Sequence, residues 1–372
     1  MRRTGIADLP LHGGHVPPWL FSRMKKLARA IVKVIVVEFG TAELLKRLAD
    51  PFWFQAFSCV LGHDWHSSGV TTVVTAALRE ALNPREHGVA VCGGKGKRAL
   101  ATPSEIERLS EEFSLPGTKV EELKRASFLA AKVDNAALQD GFSIYHHVMI
   151  LDSAGRWTII QQGMMPSLKL ARRYHWLGEN VRSFVEEPHS AIVSDVIGVE
   201  TLNLVARESR EARKCITELA AEGARRVSRL LAEIRGYATI DRWLGMRPES
   251  QRGERAVRYL RMPLRINWRA LERAYELRPS RFEELLEIRG VGPSTIRALA
   301  LIADLVYGEE PSWRDPAKYS FAFGGKDGVP YPVNVKDMDR AIETLEDAIR
   351  LAELGYREKM EALKRLRRLL GG

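Results

Sequence analysis

Cysteine is scarce. Cys59, Cys92 and Cys215 are the only three in 372 residues. They lie far apart and form no Cys-x-x-Cys pair, which argues against a disulfide framework, a structural zinc knuckle and a four-cysteine iron–sulfur cluster. No apolar run reaches the roughly 18 residues of a membrane-spanning helix, so no membrane partner is expected. The start, Met1-Arg2-Arg3-Thr4-Gly5, has no apolar segment with a cleavage site behind it. No secretory leader is therefore expected, and the expected location is the cytoplasm. Internal repeats and low-complexity tracts are absent as well.

What the chain does have is positive charge and enough apolar residues for a core. The formal net charge is +10 and 45% of residues are hydrophobic. The excess is uneven: residues 201–300 hold 21 Lys plus Arg against 13 Asp plus Glu, and all but one of those cations are arginines. A basic region favours polyanions through steering and counterion release. A thermophile's surface, laced with Arg–Glu ion pairs, gives the same composition.

Length and texture predict several units. Residues 1–200 read as an α/β domain with the candidate catalytic residues, 201–265 as a basic helical connector, 266–310 as a helical hairpin region, and 311–372 as a loop and C-terminal helix. The expected fold class is thus an α/β N-terminal domain plus a mainly helical C-terminal region. Strands are expected at Ala30–Phe39, Gly88–Cys92, Phe142–Leu151 and Trp157–Gln162. The last two flank the turn Asp152-Ser153-Ala154-Gly155 and should pair as a hairpin. Helices are expected at Thr41–Leu48, Gly69–Ala81, Pro103–Phe113, with Ser104 as a cap, and Val120–Ala131. A long helix is expected over Thr201–Ile234, with a break near Gly223. Arg252, Arg255, Arg258 and Arg261 recur at steps of three beside Tyr259, and Pro263 should end that segment. Residues 309–333 read as a long loop. Beyond it Val335, Met338, Ile342, Leu345, Ile349 and Ala352 form a heptad seam, which either packs in its own chain or makes a homo-oligomer.

The most informative local pattern is Phe282-Glu283-Glu284-Leu285-Leu286-Glu287-Ile288-Arg289-Gly290-Val291-Gly292-Pro293-Ser294-Thr295-Ile296-Arg297. Phe282, Leu285, Leu286 and Ile288 give a first helix one buried stripe. Gly290 and Gly292 permit a tight reversal, Val291 anchors it, and Pro293 suits the first turn of the next helix. Such a bend leaves main-chain N–H groups beside a helix N-terminus, which is an anion site that fits a DNA phosphate. Ser294 and Thr295 offer hydroxyls, and Arg289 and Arg297 offer charge. Contacts of this kind read the backbone and carry no base information. Across about 25 residues the segment resembles the helix-hairpin-helix family. The resemblance implies DNA-backbone binding, often with a monovalent cation held by hairpin carbonyls. Glycosylases of that family place a catalytic Asp some twenty residues past the hairpin, and Asp315 stands near that offset. This chain has Ser294 where bifunctional members carry lysine, and it lacks their C-terminal cysteine cluster, so a glycosylase-like enzyme is the weakest of the alternatives.

A second group of residues surrounds the expected β-hairpin. Lys132, Asp134, Asp140, His146, His147, Gln161 and Gln162 are candidates for a site. Carboxylate plus imidazole is a ligand set for a divalent ion such as Mg or Mn, and metal-assisted phosphodiester hydrolysis also needs a Lys or His for charge or protons. On this reading Asp134, Asp140, His146 and His147 hold the metal, while Lys132 and Gln162 assist. Strand geometry sets a limit: adjacent His146 and His147 point to opposite faces, as do Gln161 and Gln162, whereas Asp140 and His146 share parity if the strand runs straight from 140. A satisfied polar hairpin without chemistry explains the same residues. A β-hairpin followed by a helix bearing His175 superficially suggests a ββα-metal nuclease, without the Asn expected between them.

Weaker signals remain. Cys92-Gly93-Gly94-Lys95-Gly96-Lys97 looks like a phosphate-cradling loop but is followed by Arg98, so it is no Walker A; Lys95 and Lys97 are candidates for contact with DNA backbone. His63-Asp64-Trp65-His66 is either a metal set or a loop, and His12-Gly13-Gly14-His15 either a turn or part of a site. Trp53, Phe54 and Phe57 read as core, or as stacking surfaces for single-stranded bases. The phrases Leu9–His15, Ala131–Asn135, Gln139–Gly141, Tyr145–His147, Gln161–Met164 and Arg173–Trp176 resemble domain-of-unknown-function family 763 over most of the chain. The expected function is a divalent-metal-dependent deoxyribonuclease acting on single-stranded or branched DNA in repair or processing. The alternative is a non-catalytic DNA-binding adaptor.

Overall fold

The computed structural model describes residues 16–62, 69–168, 170–194, 198–243, 265–317, 335–352 and 354–369. His12–His15, His63–His66, Arg252–Arg261, Tyr259 and Pro263, and the side chains of Val335, Met338 and Ile342, lie outside the described residues.

A five-stranded sheet in the order β1-β3-β4-β5-β6 forms the centre. Its strands are β1 (Val89–Lys95), β3 (Ser143–Asp152), β4 (Trp157–Met165), β5 (Leu170–Leu177) and β6 (Ala191–Ser194). Every neighbouring pair is antiparallel. The expected β3–β4 hairpin is present. The Asp152 carboxylate accepts from the amides of Ala154 and Arg156 and closes the turn. A separate two-stranded ribbon pairs β2 (Leu138–Gln139) with β7 (Leu202–Asn203).

Both faces of the sheet are covered, because side chains alternate sides and both sets are apolar. One face presents Val89, Val91, Val148, Ile150 and Ile160 to α1 (Pro18–Ala49), α2 (Pro51–Leu61) and α3 (Gly69–Ala81). The other presents Ala90, Cys92, Met149, Leu151, Ile159 and Trp176 to α5 (Thr102–Glu112), α6 (Gly117–Lys132) and the helices beyond residue 210. A single turn, α4 (Pro84–His87), leads into β1. Trp53, Phe54 and Phe57 are buried core residues, so they offer no surface to a base.

Several sequence expectations need correction. Ala30–Phe39 lies inside α1: Ile31, Val32 and Ile35 are buried while Val37 and Phe39 are exposed, a helical and not an alternating pattern. The backbone leaves helical geometry at Gly40, after which the expected Thr41–Leu48 helix follows. Ser104 is no cap; it lies in the first turn of α5, where its hydroxyl donates to the Ala101 carbonyl at 2.9 Å. His175 lies on β5, not on a helix. Residues 201–234 form β7 and two helices, α7 (Arg210–Ala221) and α8 (Ala224–Trp243), with the break at Gly223.

The C-terminal part continues with α9 (Trp268–Leu277), α10 (Phe282–Glu287) and α11 (Pro293–Tyr307), packed on α6, α7 and α8. Their apolar residues join the same core as the sheet face above α6. The last two helices, α12 (Val335–Leu351) and α13 (Tyr356–Leu369), return to α1 and α2. Leu345, Ile349 and Ala352 of the expected seam are buried, with Leu345 and Ile349 in the core shared with α1 and α2, so these positions are used within the chain. Among the described residues no helix is long and apolar enough to cross a membrane.

Candidate functional site

The residues singled out from the sequence fall into two polar networks in the sheet and one exposed bend. His146 and His147 lie on opposite faces. On the α6 side, the Ser127 hydroxyl lies 2.8 Å from His147 Nε2, and His147 Nδ1 lies 2.9 Å from Gln161 Oε1. An amide oxygen only accepts, so Nδ1 carries the proton and Nε2 accepts from Ser127. The Gln161 amide nitrogen donates in turn to the Ala130 carbonyl and to Asp134. Asp134 is fully buried and also takes the Trp176 indole N–H at 2.9 Å and the His189 Nε2. The Trp176 ring meets His189 edge-on at 4.5 Å.

Asp140 belongs to a neighbouring cluster on the same face. Its carboxylate accepts from Arg172 at 2.9 Å, the Tyr174 hydroxyl at 2.7 Å and the Phe142 amide at 3.0 Å. Arg172 bridges to Asp315 through two parallel bonds of 3.0 and 2.9 Å and lies over the Phe142 ring. Burial pushes the Asp140 carboxyl up, against the pull of Arg172 and its other donors. Asp315 further accepts from the amides of Gly198, Val199 and Ala317. A carboxylate so engaged has no free edge for base excision.

The opposite face holds His146, Gln162, Arg173 and His175. The Thr75 hydroxyl donates to the Thr71 carbonyl at 2.7 Å, so it accepts from His146 Nε2 at 3.0 Å. His146 Nδ1 is buried without a partner. Burial, with smaller contributions from His147 and Lys95, pushes the His146 imidazole down to about 3; burial lowers His147 and His175 as well. Gln162 donates to the Tyr145 hydroxyl at 2.6 Å.

The expected metal set is therefore not brought together. A register shift between Ile144 and His146 breaks the parity that would have paired His146 with Asp140. Asp134 and Asp140 are engaged by donors of the protein, and the two imidazoles face different helices. Among the described residues, no group of three or more His, Cys, Asp and Glu side chains is placed to hold a metal ion. Lys132, expected to assist catalysis, instead donates to the Val291 carbonyl at 2.5 Å.

The glycine-rich stretch after Cys92 is the end of β1. Gly93 has φ 87°, and a Cβ there would run into the His147 carbonyl and the Thr102 hydroxyl. Its amide donates to Glu105 at 2.7 Å, so the position a phosphate would take is filled by a carboxylate. Burial raises that carboxyl, but Arg79 and the Gly93 amide prevail and hold it below the usual range. Lys95 and Lys97 are exposed beyond this point, and Lys95 lies over the Tyr145 ring.

The bend between α10 and α11 is built differently. Gly290 has φ 92° and is exposed, while Val291 is fully buried. A Cβ on Gly290 would stand 2.7 Å from both the Arg273 guanidinium and the Asn267 side-chain amide, which would have to shift; the positive φ is what favours glycine. The Val291 amide donates to the Ile288 carbonyl at 3.1 Å and sets the turn. Its carbonyls are held by side chains of the protein: Arg289 by the Arg273 guanidinium, Gly290 by Asn267 Nδ2 at 3.2 Å, Val291 by Lys132, and Pro293 by Gln139 at 2.9 Å. Burial lowers the Lys132 ammonium, which lies over the Phe128 ring.

The amides are left without partners. Among the described residues, the N–H groups of Gly290, Gly292, Ser294 and Thr295 have no hydrogen-bond partner, and the first intrahelical bond runs from the Ile296 amide to the Gly292 carbonyl at 3.0 Å. Arg289 is exposed; Gly292 and Ser294 are half-buried. Two expected contributors are placed inward. Thr295 is buried and its hydroxyl accepts from the Asn267 amide at 3.3 Å, and Arg297 is half-buried and bonded to Gln139 at 2.8 Å. Sequence reasoning missed Asn267, which caps α9 and ties it to both sides of the bend, and Arg172, Trp176 and His189 in the sheet networks. Asn267 alone had a local signal, a capping residue ahead of an amphipathic run.

A family model described as protein of unknown function (DUF763) matches residues 5–333. No curated protein and no solved structure matches the chain.

Proposed function

The chain belongs to the DUF763 family, and from that premise we propose that it is a DNA-binding protein that grips the phosphodiester backbone at the Gly290–Ser294 bend in a helix-hairpin-helix manner. The observation that carries this reading is the polarity of the bend. Its carbonyls are taken by Arg273, Asn267 and Lys132, while the N–H groups of Gly290, Gly292 and Ser294 have no partner among the described residues, at the start of a 15-residue helix. Aligned amides at a helix N-terminus bind an anion. Arg289 supplies a nearby exposed charge. Contacts of this kind are indifferent to base sequence.

Metal-dependent cleavage, expected from the sequence, has no assembled ligand set among the described residues. The proposal therefore stops at binding, which corresponds to the adaptor alternative. Ser294→Glu is the discriminating variant. A carboxylate in the first turn suits the helix itself, so the fold is retained, while it repels phosphate. Fluorescence anisotropy at low salt should show wild-type protein binding DNA of unrelated sequences equally, and the variant binding at least about tenfold more weakly, a change of about 1.4 kcal/mol. Equal affinity of the folded variant and wild type, or no binding by either, overturns the reading.

A further inference from the structure

Trp268 opens α9 and is 40% exposed. The residue before it, Asn267, bonds to the Gly290 carbonyl on one side of the bend and to the Thr295 hydroxyl on the other. Trp268 thus follows directly on the residue that ties α9 to both sides of the bend. Its ring carries no aromatic or cationic neighbour among the described residues. Trp19, also exposed, differs in having Arg23 over its ring at 5.6 Å. Around Trp268, Arg265, Arg269 and Arg289 are exposed and have no carboxylate partner among the described residues. Other surface cations are paired, as Lys25 with Glu80, Arg85 with Glu112 and Arg210 with Glu186, although Lys97, Arg98, Arg108 and Arg182 are exposed without a carboxylate partner too. Glu272, one turn along from Trp268, and Glu276 are the opposing charges on this helix.

We propose that Trp268 is a stacking platform for an unpaired base, so that the ligand of this bend is DNA with a single-stranded segment. The inference rests on the backbone-binding reading and adds the substrate class. A flat apolar ring left open amid unpaired arginines complements a strand whose bases are free to turn outward. In a blunt duplex the bases are already stacked on one another and cannot use it. Base stacking on an aromatic is tolerant of sequence, which agrees with a backbone grip that reads none.

The test compares a single-stranded oligothymidine with a blunt duplex of equal length, using full-length wild type, Trp268→Ala, Trp268→Phe and Ser294→Glu. Circular dichroism and thermal melting confirm that each variant is folded. Trp268→Ala should lose about tenfold to a hundredfold in affinity for the single strand, with the duplex changed by less than about twofold, and Trp268→Phe should recover most of the loss. Single-strand binding should also quench wild-type tryptophan fluorescence, with the quench reduced in Trp268→Phe. Equal weakening on both ligands, or no weakening on either, overturns the stacking role. If Ser294→Glu abolishes binding while Trp268→Ala shows no selectivity, the stacking inference alone fails. If Ser294→Glu changes nothing, the backbone reading fails first.

Discussion

The sheet networks and the hairpin bend are both dense in polar groups, and they are wired in opposite senses. Around Asp134 and Asp140 the donors and acceptors are matched to one another: two carboxylates collect an indole, an imidazole, a side-chain amide, a guanidinium, a phenol and a backbone amide. At Gly290–Ser294 the matching is one-sided, with acceptors taken by Arg273, Asn267 and Lys132 and the donors of Gly290, Gly292 and Ser294 without a partner among the described residues. Buried polar groups cost free energy unless paired, so a matched network explains its own composition. At the bend the unpaired donors are those that any helix start leaves open, and the proposed phosphate contact would take them up. Many surface cations are held by glutamates, which accounts for much of the Arg and Glu content; Arg265, Arg269 and Arg289 are among those that are not.

The largest expected effect separates the two regions by what their loss does. Arg172 is fully buried between Asp140 and Asp315. Arg172→Ala leaves two buried carboxylates facing each other and should cost about 3–5 kcal/mol of stability, read from urea denaturation. Should Arg172→Ala unfold at the wild-type midpoint, the cluster would not be a structural network, and chemistry at Asp140 would have to be reconsidered.

A smaller effect comes from the buried imidazoles. The folded state holds His146 down at about 3 against the ordinary 6.5. Between those values the unfolded chain binds a proton that the native protein does not, so stability falls as pH falls, by about 1.4 kcal/mol per pH unit for each such histidine. Above pH 6.5 both states are neutral and the slope vanishes. His147 and His175 act in the same direction. His146→Met, at a site where Nδ1 has no partner to lose, should flatten the acid limb of a stability–pH curve by about that slope. An unchanged limb would show that His146 is protonated in the native protein.

How much of this was legible follows from locality. The bend was readable because its signals are consecutive: an apolar stripe, Gly-Val-Gly, then proline at a helix start. The β3–β4 hairpin was readable for the same reason. By contrast β5 carries Arg172, Tyr174 and Trp176 on one side and Arg173 and His175 on the other, so it shows no apolar alternation. Its arginines are buried only because Asp140, Asp315 and Gln55 come from distant parts of the chain. The metal set failed for a related reason. Sequence proximity placed Asp140 near His146, but a bulge in β3 changed the parity on which the pairing depended. Ile31–Phe39 misled because β-branched residues favour strands only weakly, and packing against the sheet overrides that preference.

The smallest stability effect is the sharpest test of the comparison. Arg289 is exposed, and only its carbonyl is engaged, by Arg273. Arg289→Ser removes the side chain without disturbing that bond, so stability should stay within about 0.5 kcal/mol of wild type. If the guanidinium meets a phosphate, the plot of log affinity for DNA against log salt concentration should lose about one unit of slope. Arg210→Ser is the matched control, since Arg210 is spent on Glu186 at 2.6 Å and should leave the slope unchanged. A bend whose donors await a polyanion predicts a difference between these two arginines. A uniformly basic surface predicts none, because every cation would then contribute alike.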